Sequence, residues 1–114
     1  MICERFDVIR VPFPFTDRMA VKNRPALVIS DSAVFNAPSG HAVLAMITSL
    51  ANAPWPCDCP IMDLKEAGLP APSKVRLKLF TLDLRLARGI LGRLSPRDES
   101  SVRAMLATAL FSSR

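Results

Sequence analysis

Arg24 is followed at once by Pro25 and then by the apolar run Ala26–Ser30, so a permanent charge stands at the mouth of a segment that can only be buried. A guanidinium in that place is a candidate phosphate ligand, because its planar fork meets two phosphate oxygens at once. Arg10, Arg18, Lys22, Lys74, Arg76, Lys78, Arg85, Arg88 and Arg93 also flank apolar runs or fall in loops. Phosphate contact is the chemical use of such residues, and for any one of them alone plain solvation is the commoner outcome.

The residues that other phosphodiester chemistries need are missing from the sequence. Two-metal hydrolysis requires a carboxylate cluster, and the acids here are scattered, with no DxD, DxE or HExxH pattern. A histidine pair is excluded because His41 is the one histidine. No Gly-rich phosphate loop occurs, and no Ser-His-Asp set is evident from the order of residues. Cys57-Asp58-Cys59 is half of a metal site without a second half, so Cys3, Cys57 and Cys59 read as free thiols. One route needs neither metal nor histidine. RNA carries its own nucleophile, the 2′-hydroxyl. A site need only align it with phosphorus, stabilise the added negative charge and handle two protons. A fixed guanidinium serves the charge, and a hydroxyl on a neighbouring strand adds a hydrogen bond.

The totals agree with an anionic partner. The 114 residues carry a formal net charge of +5, and half are hydrophobic, so disorder is not expected and one domain over 1–114 is. No apolar run approaches the roughly 20 residues needed to span a bilayer. Charge at Glu4 and Arg5 argues against a secretory signal, which makes the cytoplasm the expected location and a membrane role unexpected.

The elements that must position these side chains are short. Phe6–Val11 reads as a first strand, stopped by the prolines of Pro12–Asp17; Arg18–Asn23 reads as an exposed basic loop. Ala26–Ser30 reads as a fully buried strand and Asp31–Gly40 as a connection. Ala42–Ser49 reads as another buried strand, with helix as the competing assignment from its Ala and Met content. The Asn52–Pro60 stretch, with three prolines beyond Ala53 inside nine residues, is loop. Ile61–Leu64 is expected as a short strand and Glu66–Ser73 as a turn. Val75–Thr81 alternates, with Val75, Leu77 and Leu79 on one face and Arg76, Lys78 and Phe80 on the other. Arg88–Leu94 is a candidate last strand, with Gly89 and Gly92 as bulge or close-approach sites. Ser95 as N-cap, Pro96 at the first helical position and Asp98 at the capping-box position then open a helix along which Val102, Met105, Leu106, Ala109 and Leu110 recur at helical spacing. Short strands followed by one helix make a mainly β fold with α: a small, strongly curved sheet or barrel with the helix packed on it.

The blocks FDVIRVPFPFTD, NRPALVIS, MITS, VRLKLFTLD and LGRLS, in that order and spacing, resemble the MazF/PemK toxins (mRNA interferases) of type II toxin–antitoxin pairs. The resemblance implies an SH3-like, PemK-like curved β-barrel with a C-terminal helix. It implies a homodimer that cuts single-stranded mRNA at short sequences without metal or other cofactor, leaving a 2′,3′-cyclic phosphate and a 5′-hydroxyl. It implies a cognate antitoxin as partner, and operator DNA only through the antitoxin complex. Carried onto this chain, the catalytic arginine is Arg24 and the catalytic threonine, at the end of the third core strand, is Thr48. Arg76 and Lys78 follow as RNA-binding residues, with Lys22, Arg18 and Ser49 as further contacts.

The chain departs from the pattern at Lys78, where some PemK-like members carry an aspartate two positions after the arginine matched by Arg76. That leaves the general base without an assignment. It also keeps open a second class of function: a non-catalytic protein on the same barrel, either a CcdB-like gyrase poison or a regulator that binds RNA or antitoxin.

Overall fold

The computed structural model describes residues 2–12 and 22–112. Six strands are named in chain order: β1 (Asp7–Pro12), β2 (Asn23–Val28), β3 (His41–Ser49), β4 (Cys59–Pro60), β5 (Ser73–Asp83) and β6 (Ile90–Arg93). They form one sheet in the order β4-β5-β3-β2-β1-β6, antiparallel at every pairing. The sheet curls into a half-barrel, and the C-terminal helix α3 (Pro96–Phe111) packs on it. Two short helices, α1 (Ala37–Ser39) and α2 (Leu64–Ala67), sit in connections.

The central strands are apolar on both sides because both sheet faces are covered. Along β1, Val8 joins one cluster with Leu27, Ala45, Ile47, Val75 and the helix residues Val102 and Met105. Its neighbour Ile9 joins the other, with Val11, Ala26, Val28, Ala42 and Leu44. Successive residues thus feed opposite cores, as the two-residue period of a strand requires. The competing helical assignment of Ala42–Ser49 fails for this reason: its Ala and Met side chains fill a two-sided strand paired on both edges.

Several expectations are corrected. β2 begins at Asn23, so Arg24 and Pro25 lie inside the strand, paired with Val11 and Arg10 of β1. Pro25 is tolerated because the β2–β3 ladder begins only at Ala26, so its missing donor interrupts no pair on that side. Asp31–Gly40 is not plain loop: a π-helical turn over Ser32–Asn36, capped by Asp31 accepting from the Val34 N–H, runs into α1. Ile61–Leu64 is not a strand. Only Cys59 and Pro60 pair with β5, and Leu64 opens α2, which takes up the start of the expected turn.

The alternation expected over Val75–Thr81 holds, since Val75 and Leu77 pack in one cluster and Phe80 against the other, but the pairing with β3 is interrupted. Met46 pairs with Arg76 and Ala45 with Leu79, so two residues of β5 are bulged out between them. Arg76 is buried beside Lys74, whereas Leu79 is exposed. The helix start is as expected for Ser95, whose hydroxyl accepts from the Asp98 N–H at 3.4 Å. The Asp98 carboxylate does not fold back as a capping box; it is buried and accepts from the backbone N–H groups of Met62 (3.0 Å) and Asp63 (2.9 Å), tying α3 to the segment before α2. Val102 and Met105 are buried, but Ala109 and Leu110 are exposed, so the apolar face outruns the sheet beneath it. Residues 13–17, expected to stop the first strand, and 18–21, expected as a basic loop, lie outside the described residues.

The backbones of α2 and β6 touch at two glycines. A Cβ on Gly68, which also has φ of +72°, would collide with the Leu91 carbonyl, and one on Gly92 with the Glu66 carbonyl. A Cβ on Gly40 meets nothing within 4 Å. Gly92→Ala is therefore expected to destabilise the protein by about 1–3 kcal/mol or more in urea unfolding, through overpacking alone. Gly40→Ala should cost about 1–2 kcal/mol, the price of a left-handed alanine without a clash. Equal midpoints for Gly92→Ala and the wild type would contradict the close approach.

Candidate functional site

Thr48 and Lys74 come together through strand register, and Arg24 lies on the same sheet face. On β5, Lys74 is directly opposite Thr48. On the other side, β2 pairs with β3 from Val28–Leu44 to Ala26–Met46, and Arg24 and Thr48 each stand two residues beyond that last pair. Facing residues in such a ladder are about 5 Å apart between Cα atoms. By alternation Arg24 follows Ala26 and Val28, and Thr48 follows Ala42 and Leu44, all four of which pack in the same cluster. Arg24 and Thr48 thus share one face of the sheet. Arg24 is exposed and Thr48 is buried.

The loop after β3 closes over this face. The Asn52 side-chain amide donates to Thr48 Oγ1 at 2.6 Å, and the Asn52 carbonyl accepts from Lys74 Nζ at 2.7 Å. Because Thr48 Oγ1 accepts from Asn52, its own O–H remains a donor for another oxygen. Further along the loop, Asp58 enters between two cations. Arg76 grips it with Nε on Oδ1 (3.2 Å) and Nη2 on Oδ2 (3.1 Å), and Lys74 Nζ stands 3.1 Å from Oδ2. The same Arg76 Nη2 donates to the Ala53 carbonyl at 2.8 Å. All three charged side chains are about nine-tenths buried or more.

Burial pushes the Asp58 carboxyl up, but hydrogen bonds from Arg76, the Trp55 N–H and Lys74 outweigh it and hold the group at about 2. A carboxylate so far below neutrality is a poor proton acceptor at pH 7. Lys78 is half-buried, with Nζ 5.7 Å from the centroid of the Trp55 ring. It places no carboxylate on the strand.

Of the other expected contacts, Lys22 is exposed just before β2 and Ser49 is exposed at the end of β3, paired with Ser73. Arg18 lies outside the described residues. Arg76, expected as an RNA-binding residue, donates through Nε and Nη2 to the loop. Three residues that carry this arrangement went unread as site residues: Asn52, Trp55 and Asp58. The Pro-Trp-Pro segment was the available signal, since prolines on both sides of a large aromatic specify a stiff loop. Cys57 and Cys59, on either side of Asp58, are free thiols. No helix of the described residues is long and apolar enough to cross a membrane.

Residues 4–110 match the sequence model of the family described as PemK-like, MazF-like toxin of type II toxin–antitoxin systems. No curated protein matches the chain by sequence. Among solved structures, a MazE–MazF complex from Deinococcus radiodurans superposes with a TM-score of 0.76 at 22% identity, covering 99% of this chain and 100% of that one. An endoribonuclease in complex with its cognate antitoxin from a mycobacterial species gives 0.74 at 21% identity, covering 99% and 97%. The Mycobacterium tuberculosis toxin MazF-mt6 gives 0.73 at 17% identity, covering 95% and 99%. At these identities the likeness is one of fold, and it matches the curled half-barrel with its C-terminal helix.

The depressed carboxyl has a pH signature. A folded-state value of about 2 against an ordinary 3.8 means that Asp58 stabilises the protein fully above 3.8 and loses that contribution as pH falls toward 2. The amount is on the order of 2 kcal/mol. Asp58→Ala should cost about 3–5 kcal/mol at pH 7 by leaving two buried cations without their anion, and should flatten the acid limb of the stability curve. An Asp58→Ala protein with wild-type urea midpoints at both pH 7 and pH 3 would contradict the buried triad.

Proposed function

The chain belongs to the PemK-like, MazF-like toxins of type II toxin–antitoxin systems, and from that premise we propose that it is an endoribonuclease that cuts single-stranded mRNA at a short sequence without a metal. The observation that supports this most is that an exposed arginine and a buried threonine, Arg24 and Thr48, lie on one sheet face, each two residues beyond the last β2–β3 pair, with Lys74 paired to the threonine.

The reaction follows from that placement. The 2′-oxygen attacks phosphorus and loses its proton, the P–O5′ bond breaks, and the 5′-oxygen takes up a proton. The products are a 2′,3′-cyclic phosphate and a 5′-hydroxyl. Arg24 stabilises the charge that builds on the phosphorane and on the leaving oxygen. Thr48, its lone pair already engaged by Asn52, donates to a phosphate oxygen. Lys78 and Lys22 offer charge to neighbouring phosphates, with Ser49 and Arg18 at the margins. The proton acceptor is assigned to no residue, since Asp58 is held at about 2 and position 78 is a lysine.

The antitoxin would be an acidic chain, matched to a basic surface. Homodimerisation is proposed on the groove of about 480 Å³ between the end of α3 and the sheet, where Leu79, Leu110 and Phe111 are exposed. Multi-angle light scattering should give twice the 12.5 kDa chain mass; a monomer mass at every concentration would remove the dimer.

The nuclease reading is tested by incubating the purified chain with a long unstructured RNA in EDTA. Fragments with cyclic-phosphate ends are expected. Arg24→Ala should lower the cleavage rate on the order of 10²- to 10³-fold. Its melting temperature should hold, because Arg24 is exposed. Intact RNA accompanied by arrested DNA supercoiling would instead favour a gyrase poison on this barrel.

A further inference from the structure

Trp55 is the single tryptophan of a chain that has no tyrosine, and it is 44% exposed. An indole left half in solvent is unusual for a residue with so much apolar area to bury. It is also held still. Pro54 and Pro56 restrict the backbone on both sides. The Trp55 N–H donates to Asp58 Oδ2 at 2.9 Å, and the Asp58 N–H donates to the Trp55 carbonyl at 3.3 Å. The Arg76 guanidinium lies 4.8 Å and Lys78 Nζ 5.7 Å from the ring centroid. The loop that carries the ring is the one whose Asn52 touches the Thr48 hydroxyl.

We propose that Trp55 is the platform on which a base of the bound single strand stacks, setting which nucleotide lies beside the Thr48 hydroxyl. This rests on the endoribonuclease reading above. A plug over the loop's hydrogen bonds would be buried; Trp55 keeps 44% of its residue surface exposed, with Arg76 and Lys78 over its ring and its backbone fixed from both sides. Stacking suits single-stranded RNA, whose bases are free to splay onto an aromatic face, and is denied to a duplex. Lys78, beside the ring, is placed to meet the phosphate of the stacked nucleotide. The buried Lys74–Asp58–Arg76 triad then acts through the loop, keeping the platform in place before RNA arrives, so that little ordering is left for binding to supply.

The only tryptophan reports directly on this contact. Titration of the full chain with a 2′-O-methyl RNA oligonucleotide, which has no free 2′-hydroxyl and cannot be cut by this route, is expected to quench Trp55 emission. The same sequence in duplex form should not. By fluorescence polarisation with a labelled oligonucleotide, Trp55→Ala should weaken binding between about 5-fold and about 150-fold. Trp55→Phe, which keeps an aromatic face, should lose less and decides the matter if Trp55→Ala does not fold. Binding without quenching, equal affinity of the aromatic-free variant, or no binding of the oligonucleotide at all would overturn the proposal. Cleavage of unmodified RNA is measured in parallel. Cutting with no effect of Trp55 removes the stacking and leaves the nuclease; quenching with no cutting removes the nuclease and leaves the stacking.

Discussion

The site side of this protein depends on one carboxylate placed between two buried cations. Asp58 is 3.1 Å from both Lys74 Nζ and Arg76 Nη2, and without it the side chains on β5 would leave two positive charges under a loop with only backbone carbonyls for company. Burying three charges is costly, and such triads seldom add stability over an apolar replacement. What this one does is fix geometry. It fastens the loop after β3 at Asn52, Ala53 and Asp58, and the loop in turn holds the Thr48 hydroxyl by its Asn52 amide. A hydroxyl with one lone pair engaged has fewer directions left for its proton, which is preorganisation at the level of a single rotor.

The bulge in β5 begins directly after Arg76. Lys74 and Arg76 stay in regular pairs with Thr48 and Met46 under the loop, and the two residues looped out before the Leu79–Ala45 pair include Lys78, which is half-buried beside Trp55. An irregularity that costs ladder hydrogen bonds thus re-aims side chains, a common use of bulges near functional surfaces.

Sequence patterns carried the strands that are apolar on both faces and the capped C-terminal helix, because each is specified by its own residues. Ser95, Pro96 and the Val102/Met105 spacing needed no tertiary partner to be read. The β5 bulge was not legible, since alternation over Val75–Thr81 says nothing of two residues in excess on one strand. Nor was the role of Asp98, whose local spacing suited a capping box while its carboxylate served Met62 and Asp63 from more than thirty positions away. Arg24 drew attention by itself, as a charge before a buried run. Thr48 did not, and came from the family resemblance; nothing in a strand threonine marks it until its cross-strand neighbours are known. Asp58 was considered only as a fragment of a metal site, because its cation partners lie sixteen and eighteen residues along the chain.

The charge balance bears on what the site can hold. Lys74 and Arg76 against Asp58 leave one net positive charge in a poorly solvated cluster, with Lys78 half-buried beside it and Arg24 across β3. A phosphodiester brings one negative charge, and its pentacoordinate state brings a second. Placing a carboxylate at position 78 would cancel the remaining charge in the ground state and oppose the second one as it forms; a lysine there keeps the field positive through the reaction. On the proposed endoribonuclease reading, the departure that looks like the loss of a base is electrostatically a gain in affinity for the charged transition state. If the chain is the endoribonuclease proposed above, proton removal from the 2′-hydroxyl is the step this surface helps least, and the burden of rate falls on charge stabilisation by Arg24 and on the geometry that the buried triad imposes.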